Sequence, residues 1–184
     1  MSNKPQIVIR EATEADGPAL HALHVEALRR HPEAFAADAE RTQGDQPAWI
    51  WRLRRNLSEG MGTICLAEVP APEGHGRQPV AMSGIYRRTL RRMQHTATVW
   101  GCYVRPAWRN HGLGGRLLEV CADWAARHDV RLMRLAVVAD NTAAIRCYSR
   151  HGFRVYGVEP EALFYDGAYH DELLMVRRVS GGKE

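Results

Sequence analysis

Val99-Trp100-Gly101-Cys102-Tyr103-Val104-Arg105-Pro106-Ala107-Trp108-Arg109-Asn110-His111-Gly112-Leu113-Gly114-Gly115-Arg116 is the stretch on which the reading of this chain turns. Val99 to Val104 is an apolar run rich in β-branched and aromatic residues, and it predicts a buried strand that ends at Pro106, which cannot donate to a ladder. Beyond a turn, Leu113, Leu117, Leu118, Cys121, Trp124 and Ala125 recur at helical spacing with polar residues between them, which predicts an amphipathic helix. Gly112, Gly114 and Gly115 lie between strand and helix and let a ligand approach the backbone closely. The helix N-terminus offers unpaired N–H groups and the positive end of its dipole, and Arg109 and Arg116 add fixed charge, so a phosphate or pyrophosphate suits the turn.

The identity of that phosphate ligand narrows by elimination. A P-loop needs a lysine after its glycines, but the only lysines are Lys4 and Lys183. A dinucleotide fingerprint counted from Gly112 needs a third glycine where Leu117 stands. Asp140 at the next strand end keeps a dinucleotide as an open alternative.

Arg109-x-x-Gly112-x-Gly114 after a buried strand, then Asp140-Asn141-Thr142-Ala143-Ala144, Tyr148 and His151-Gly152-Phe153, resembles the GCN5-related N-acetyltransferase (GNAT) family. The resemblance implies an α/β fold with a mixed central sheet, antiparallel N-terminal strands, two parallel strands that splay at the acyl-CoA site, and flanking helices. It implies acetyl-CoA as acyl donor, with the pyrophosphate on Arg109, Asn110, His111, Gly112, Leu113, Gly114, Gly115 and Arg116. It further implies that the pantetheine arm pairs with Gly101 to Val104, so that Cys102, Tyr103 and Val104 border it, and that Asn141 belongs to the cofactor site. By the same resemblance Tyr148 is the catalytic donor to the leaving thiolate. Family members are often dimers, so a homodimer is allowed, although no sequence feature selects it.

Composition agrees with a single domain over residues 1–184, with 180–184 expected as a frayed tail. The net charge of +4, carried mostly by arginine, suits an anionic cofactor and is too dispersed for nucleic acid. Cys65, Cys102, Cys121 and Cys147 have no metal or disulfide spacing and read as reduced core residues, and no metal site is expected. The N-terminal residues lack an apolar signal region and no run is long enough to span a membrane, so a cytoplasmic protein is expected.

In chain order, Ile7 to Arg10 predicts a first strand, and Thr13 with Asp16 opens a helix that ends at His31-Pro32. Asp45, Pro47, Ile50, Leu53 and Leu57 predict a second helix. Phe35, Trp49 and Trp51 fit core packing, while the resemblance implies that their region forms one wall of the acceptor pocket. Thr63 to Val69 and Val80 to Tyr86 predict an antiparallel pair, followed by an arginine cluster at 87–92 that reads as a solvated hairpin tip or a patch for an acidic partner. Leu132 to Ala139 predicts a strand, Thr142 to Arg150 a helix stopped at Gly152, and Phe153 to Val158 with Leu173 to Val179 a closing hairpin.

The chemistry implied is direct acetyl transfer to a primary amine, of which only about 1 in 2500 molecules is unprotonated at pH 7. A base or proton wire is therefore required. The central strand, His95 to Val104, contains no carboxylate, which leaves His95, Glu26, Asp171, Glu172 or a water chain as candidates. The resemblance implies that a backbone N–H near Cys102 or Tyr103 stabilises charge on the thioester oxygen. Asp38, Glu40, Asp45, Asp166, Asp171 and Glu172 border the expected pocket and favour a small cationic amine as acceptor. A protein or peptide acceptor and a non-catalytic acyl-CoA sensor are the alternatives.

Overall fold

The computed structural model describes residues 6–72 and 76–179. The expected tail at 180–184 lies outside them, as does part of the loop after Pro70. Seven strands form one sheet in the order β1-β2-β3-β4-β5-β7-β6: β1 Val8–Glu11, β2 Gly62–Pro70, β3 Arg77–Arg87, β4 Thr96–Val104, β5 Leu132–Val138, β6 Arg154–Tyr165 and β7 Ala168–Arg178. Neighbours are antiparallel except β4 and β5, which run parallel through Thr96↔Leu132, Ala97↔Met133 and Thr98↔Arg134 and then part. The expected mixed sheet with splayed parallel strands is the architecture found.

The helices are α1 Gly17–Arg30, α2 Ala39–Gly44, α3 Gln46–Ser58, α4 Leu113–Arg127 and α5 Thr142–Arg150. α4 buries Leu113, Leu117, Leu118, Cys121, Trp124 and Ala125 against one face of the sheet, as its periodicity predicts. α1 and α3 cover the opposite face of β2 to β4, with Leu20, Leu23, Ala27, Trp49 and Leu53 against Ile64, Leu66, Met82 and Tyr103. The helical entry at Thr13 forms through Asp16, whose Oδ2 accepts from the Thr13 backbone N–H at 2.7 Å. Asp16 also anchors Arg10, with both guanidinium nitrogens at 2.8 Å.

Two differences from the sequence reading have local causes. α2 is one short segment whose N-cap, Asp38, accepts from Arg41 N–H at 2.7 Å, and six residues are too few to show a periodicity. The closing hairpin is longer at its tip than Phe153–Val158 and Leu173–Val179, because Asp166 and Gly167 both take positive φ, 50° and 76°, and close a two-residue turn. An irregularity between Glu159 and Leu163, with Glu161 at φ 52°, breaks the alternation that would have revealed the full strand.

Candidate functional site

The splay begins beside an irregularity in β4. Met82 pairs with Tyr103 and Gly84 with Trp100, so Gly101 and Cys102 together oppose Ser83, and Gly101 sits at φ 61°. Such a bulge leaves an unpaired residue and re-aims the strand. It falls where β4 has separated from β5, so backbone groups of the expected pantetheine segment face an open gap.

Cys102 and Tyr148 meet in this region. Burial and the neighbouring Cys102 thiol push the Tyr148 phenol well above its ordinary value. The Cys102 thiol is pushed up to about 11, chiefly by burial, although Ser83 Oγ at 3.1 Å and Tyr148 oppose the shift. Both groups are therefore protonated at neutral pH. Tyr148 can donate a hydrogen bond, and Cys102 is a thiol too weakly ionised to compete for an acyl group. Tyr148 also packs edge-on against Phe153, with ring centroids 6.0 Å apart.

The turn that follows β4 is built for backbone approach. Asn110 and Gly112 have φ of 64° and 70°, and Gly112 is the N-cap of α4 without a side-chain cap. Arg116 N–H reaches Gly112 O at 3.1 Å, leaving the N–H groups of Leu113, Gly114 and Gly115 as the helix's unpartnered first donors. The residues present therefore fit a pyrophosphate through backbone donors and the helix dipole. Arg109 folds back, its Nε donating to Val104 O at 3.2 Å and Nη2 lying 2.8 Å from His31 Nε2. His111 Nδ1 lies 2.8 Å from Arg109 O.

The expected cofactor residues do not all present side chains to the gap. Leu113 points into the core, and Tyr103 turns to the other face, where its hydroxyl donates to Glu26 at 3.0 Å; each offers only backbone to a ligand in the gap. A Cβ on Gly115 would lie 2.0 Å from His151 Nε2, so this glycine makes room for the α4–α5 contact. Asn141 caps α5 by accepting from Ala144 N–H at 3.1 Å, which leaves its amide nitrogen for a ligand.

Among the base candidates, His95 stands at the opposite end of β4, where its carbonyl accepts from Arg131 and Leu132, and the structure removes it from the site. Glu26 is held between Tyr103, Arg105 at 2.9 and 3.0 Å, and Arg30. Asp171 is exposed and accepts from Glu161 N–H at 2.9 Å. Glu172 pairs across strands with Val138 and Glu159, on the sheet face that carries Trp100 and Tyr103. Burial and the Glu159 charge raise its pKa.

Sequence reasoning missed a feature on that face. A cavity of about 200 Å³ lies between α3 and the sheet, bordered by Trp49, Leu53, Ile64 and Trp100 with Arg52 and Asn56 at its polar side. His24 stands behind it, accepting at Nδ1 from Trp49 Nε1–H at 3.2 Å, with its ring centroid 5.5 Å from that of Trp100. Its burial, then His21, lower its pKa to about 4. Only the apolar spacing around His24 was visible in sequence, not its meeting with Trp49 and Trp100.

Comparison with known proteins agrees with this geometry. The chain is 25% identical over 176 residues to the L-amino acid N-acetyltransferase AaaT of Escherichia coli, covering 94% of this chain and 98% of that protein. A GNAT-family acetyltransferase structure from Streptococcus pneumoniae superposes with a TM-score of 0.78 at 23% identity, covering 95% of this chain and 100% of that one. The yncA structure from Salmonella typhimurium, which holds acetyl-CoA, gives 0.77 at 22% identity with 97% of each chain covered. Residues 20–153, from α1 through the glycine turn to Phe153, match the Acetyltransferase (GNAT) family, so the chain belongs to that family and is an acyltransferase that takes acetyl-CoA as its donor.

Proposed function

We propose that the chain, acting as one domain, moves the acetyl group directly to the primary amine of a small molecule of amino-acid size. The observation that carries the reading is the 200 Å³ cavity beside Trp100, the residue before the β4 bulge. It is smaller than the roughly 300–1,000 Å³ of drug-sized sites, and its wall of two tryptophans suits an apolar side chain. The L-amino acid acceptor of the 25% identical relative supports the same class. Of the six carboxylates that favoured a cationic acceptor, Asp38 caps a helix, Asp45 pairs with Arg52 at 3.1 Å and Asp171 holds a backbone N–H.

In this reading Arg109, Arg116 and the first N–H groups of α4 hold the pyrophosphate. The β4 backbone at the bulge donates to the thioester oxygen as charge develops there. Glu172 takes the proton from the attacking amine, since a carboxylate with a raised pKa is a better base than an ordinary one. Tyr148 donates a hydrogen bond to the departing thiolate. Arrival and departure then occur on opposite sides of the gap, with no covalent enzyme species. The free thiols of all four cysteines suit a reducing compartment, and we place the protein in the cytoplasm. No helix among the described residues is long and apolar enough to cross a membrane.

The test is release of free thiol from acetyl-CoA with a panel of amino acids, polyamines and N-terminal peptides as acceptors. Turnover with amino acids, with kcat lowered on the order of a hundredfold in Glu172→Gln, supports the reading. Turnover confined to peptides overturns the small-molecule acceptor, and an unchanged Glu172→Gln overturns the base.

A further inference from the structure

A second cleft lies at the other end of β5 from the acyl-CoA gap. Its volume is about 820 Å³, and Arg134, Arg150, Arg154 and Arg178 line it. The sheet register explains the gathering. Arg134 and Arg154 flank Val176 from the two strands beside β7, and Arg178 follows two residues later on the same face. Arg178 is thus a diagonal neighbour of both Arg134 and Arg154, at about 7–8 Å, while those two stand two strands apart, so three arginines share one patch of the sheet. Arg150 closes the rim from the end of α5.

These charges have no internal answer. Arginines elsewhere that meet a carboxylate are held singly, as Arg10 is by Asp16 and Glu68, or Arg105 by Glu26, whereas here four stand around one cleft. The one carboxylate lining the cleft, Glu119, is engaged by Arg177 through two bonds of 2.8 Å and by His151 Nδ1 at 2.9 Å. Among the described residues, no carboxylate lies within ion-pair distance of Arg134, Arg150, Arg154 or Arg178. Like charges this close repel unless an anion sits among them. Guanidinium forks bind phosphate oxygens in pairs, and several forks around one cleft match a chain of phosphates better than a single carboxylate. The half-exposed ring of Tyr156, with the Arg134 guanidinium 5.9 Å from its centroid, adds a stacking face at the border.

We infer that this arginine cleft is a second anion site, distinct from the acetyl-CoA gap, that binds a polyphosphate. The phosphate chain is the recognised chemistry, and either a nucleoside triphosphate or inorganic polyphosphate can supply it.

Calorimetric titration with ATP and, separately, with tripolyphosphate tests the site, on the protein alone and again with acetyl-CoA saturating. Saturable binding that survives saturation, weakens with salt, and falls about tenfold or more in Arg154→Ala/Arg178→Ala supports the site. Both substituted residues are exposed, so the fold is expected to persist, and Arg41→Ala on α2 serves as the control for loss of charge. Equal affinity for the two probes assigns recognition to the phosphates, and tighter ATP binding that Tyr156→Ala removes adds the base. Absence of saturable binding, or binding that the double variant leaves intact and acetyl-CoA displaces, overturns the inference. Because the protein alone is also titrated, failure of acetyl-CoA to bind would count against the acyltransferase site and not against this one.

Discussion

At the scale of single residues, two protonation states set by burial give separate predictions. Tyr148 is raised well above an ordinary phenol, so it is a hydrogen-bond donor throughout the working range and not a base. Tyr148→Phe keeps the ring against Phe153 and removes only the hydroxyl. The expected result is a kcat lower by about a hundredfold with the KM for acetyl-CoA changed less than about threefold, read from steady-state kinetics. His24 titrates near 4 when folded and near 6.5 when unfolded, so the unfolded state binds more protons between those values. His24 therefore contributes stability above pH 6.5 that is lost as pH falls through 4, up to about 3 kcal/mol. Denaturant unfolding at stepped pH should show this loss in the wild type and lack it in His24→Asn, whose amide oxygen stands near the position of Nδ1 and can accept from Trp49. The loss from Asp16, held down to about 2 by Arg10, falls at lower pH and is separable from it.

At the scale of elements, the contact between β3 and β4 governs the cavity proposed for the acceptor. A Cβ on Gly84 would lie 2.2–2.7 Å from three indole atoms of Trp100, so the tryptophan lies flat only because that position is bare. Gly84→Ala should cost about 1–3 kcal/mol in equilibrium unfolding and displace Trp100 into the cavity. It should raise the KM for the amine while leaving acetyl-CoA affinity near wild type, since the glycine turn is untouched. The β4, turn and α4 unit was legible in sequence because its signals are local: an apolar run, a proline stop, glycines and a helical stripe, all contiguous between Val99 and Ala125. The bulge at Gly101 was not, because it exists only relative to Ser83 on another strand. Nor did the sequence separate Glu172 from His95, since each residue's distance from the gap depends on which strands become neighbours. The arginine cleft was hidden for the same reason, its residues coming from three strands and a helix end.

At the scale of the whole molecule, the sheet is incomplete where the donor is proposed to bind. β4 and β5 share three register pairs and then part, so beyond those pairs the two halves of the sheet are joined through the core that α4 and α5 pack on one face. A donor seated in that gap, as proposed, would supply hydrogen bonds that the strands do not make to each other, and would bind only the folded chain. At a concentration of 100 times its Kd, such a ligand stabilises by about 2.7 kcal/mol. For a chain of this length each kcal/mol moves Tm by roughly 2–4 °C, so acetyl-CoA should raise Tm by about 5–10 °C. Arg109 does not complete the core; its contacts are to Val104 O and His31. Arg109→Ala should therefore leave the Tm of the free protein nearly unchanged. If the substitution weakens the donor tenfold, the shift at the same concentration should fall by about half. A full shift in Arg109→Ala would place the pyrophosphate on the α4 backbone and Arg116 without Arg109, and no shift in the wild type would mean that the splay is not held open for this donor.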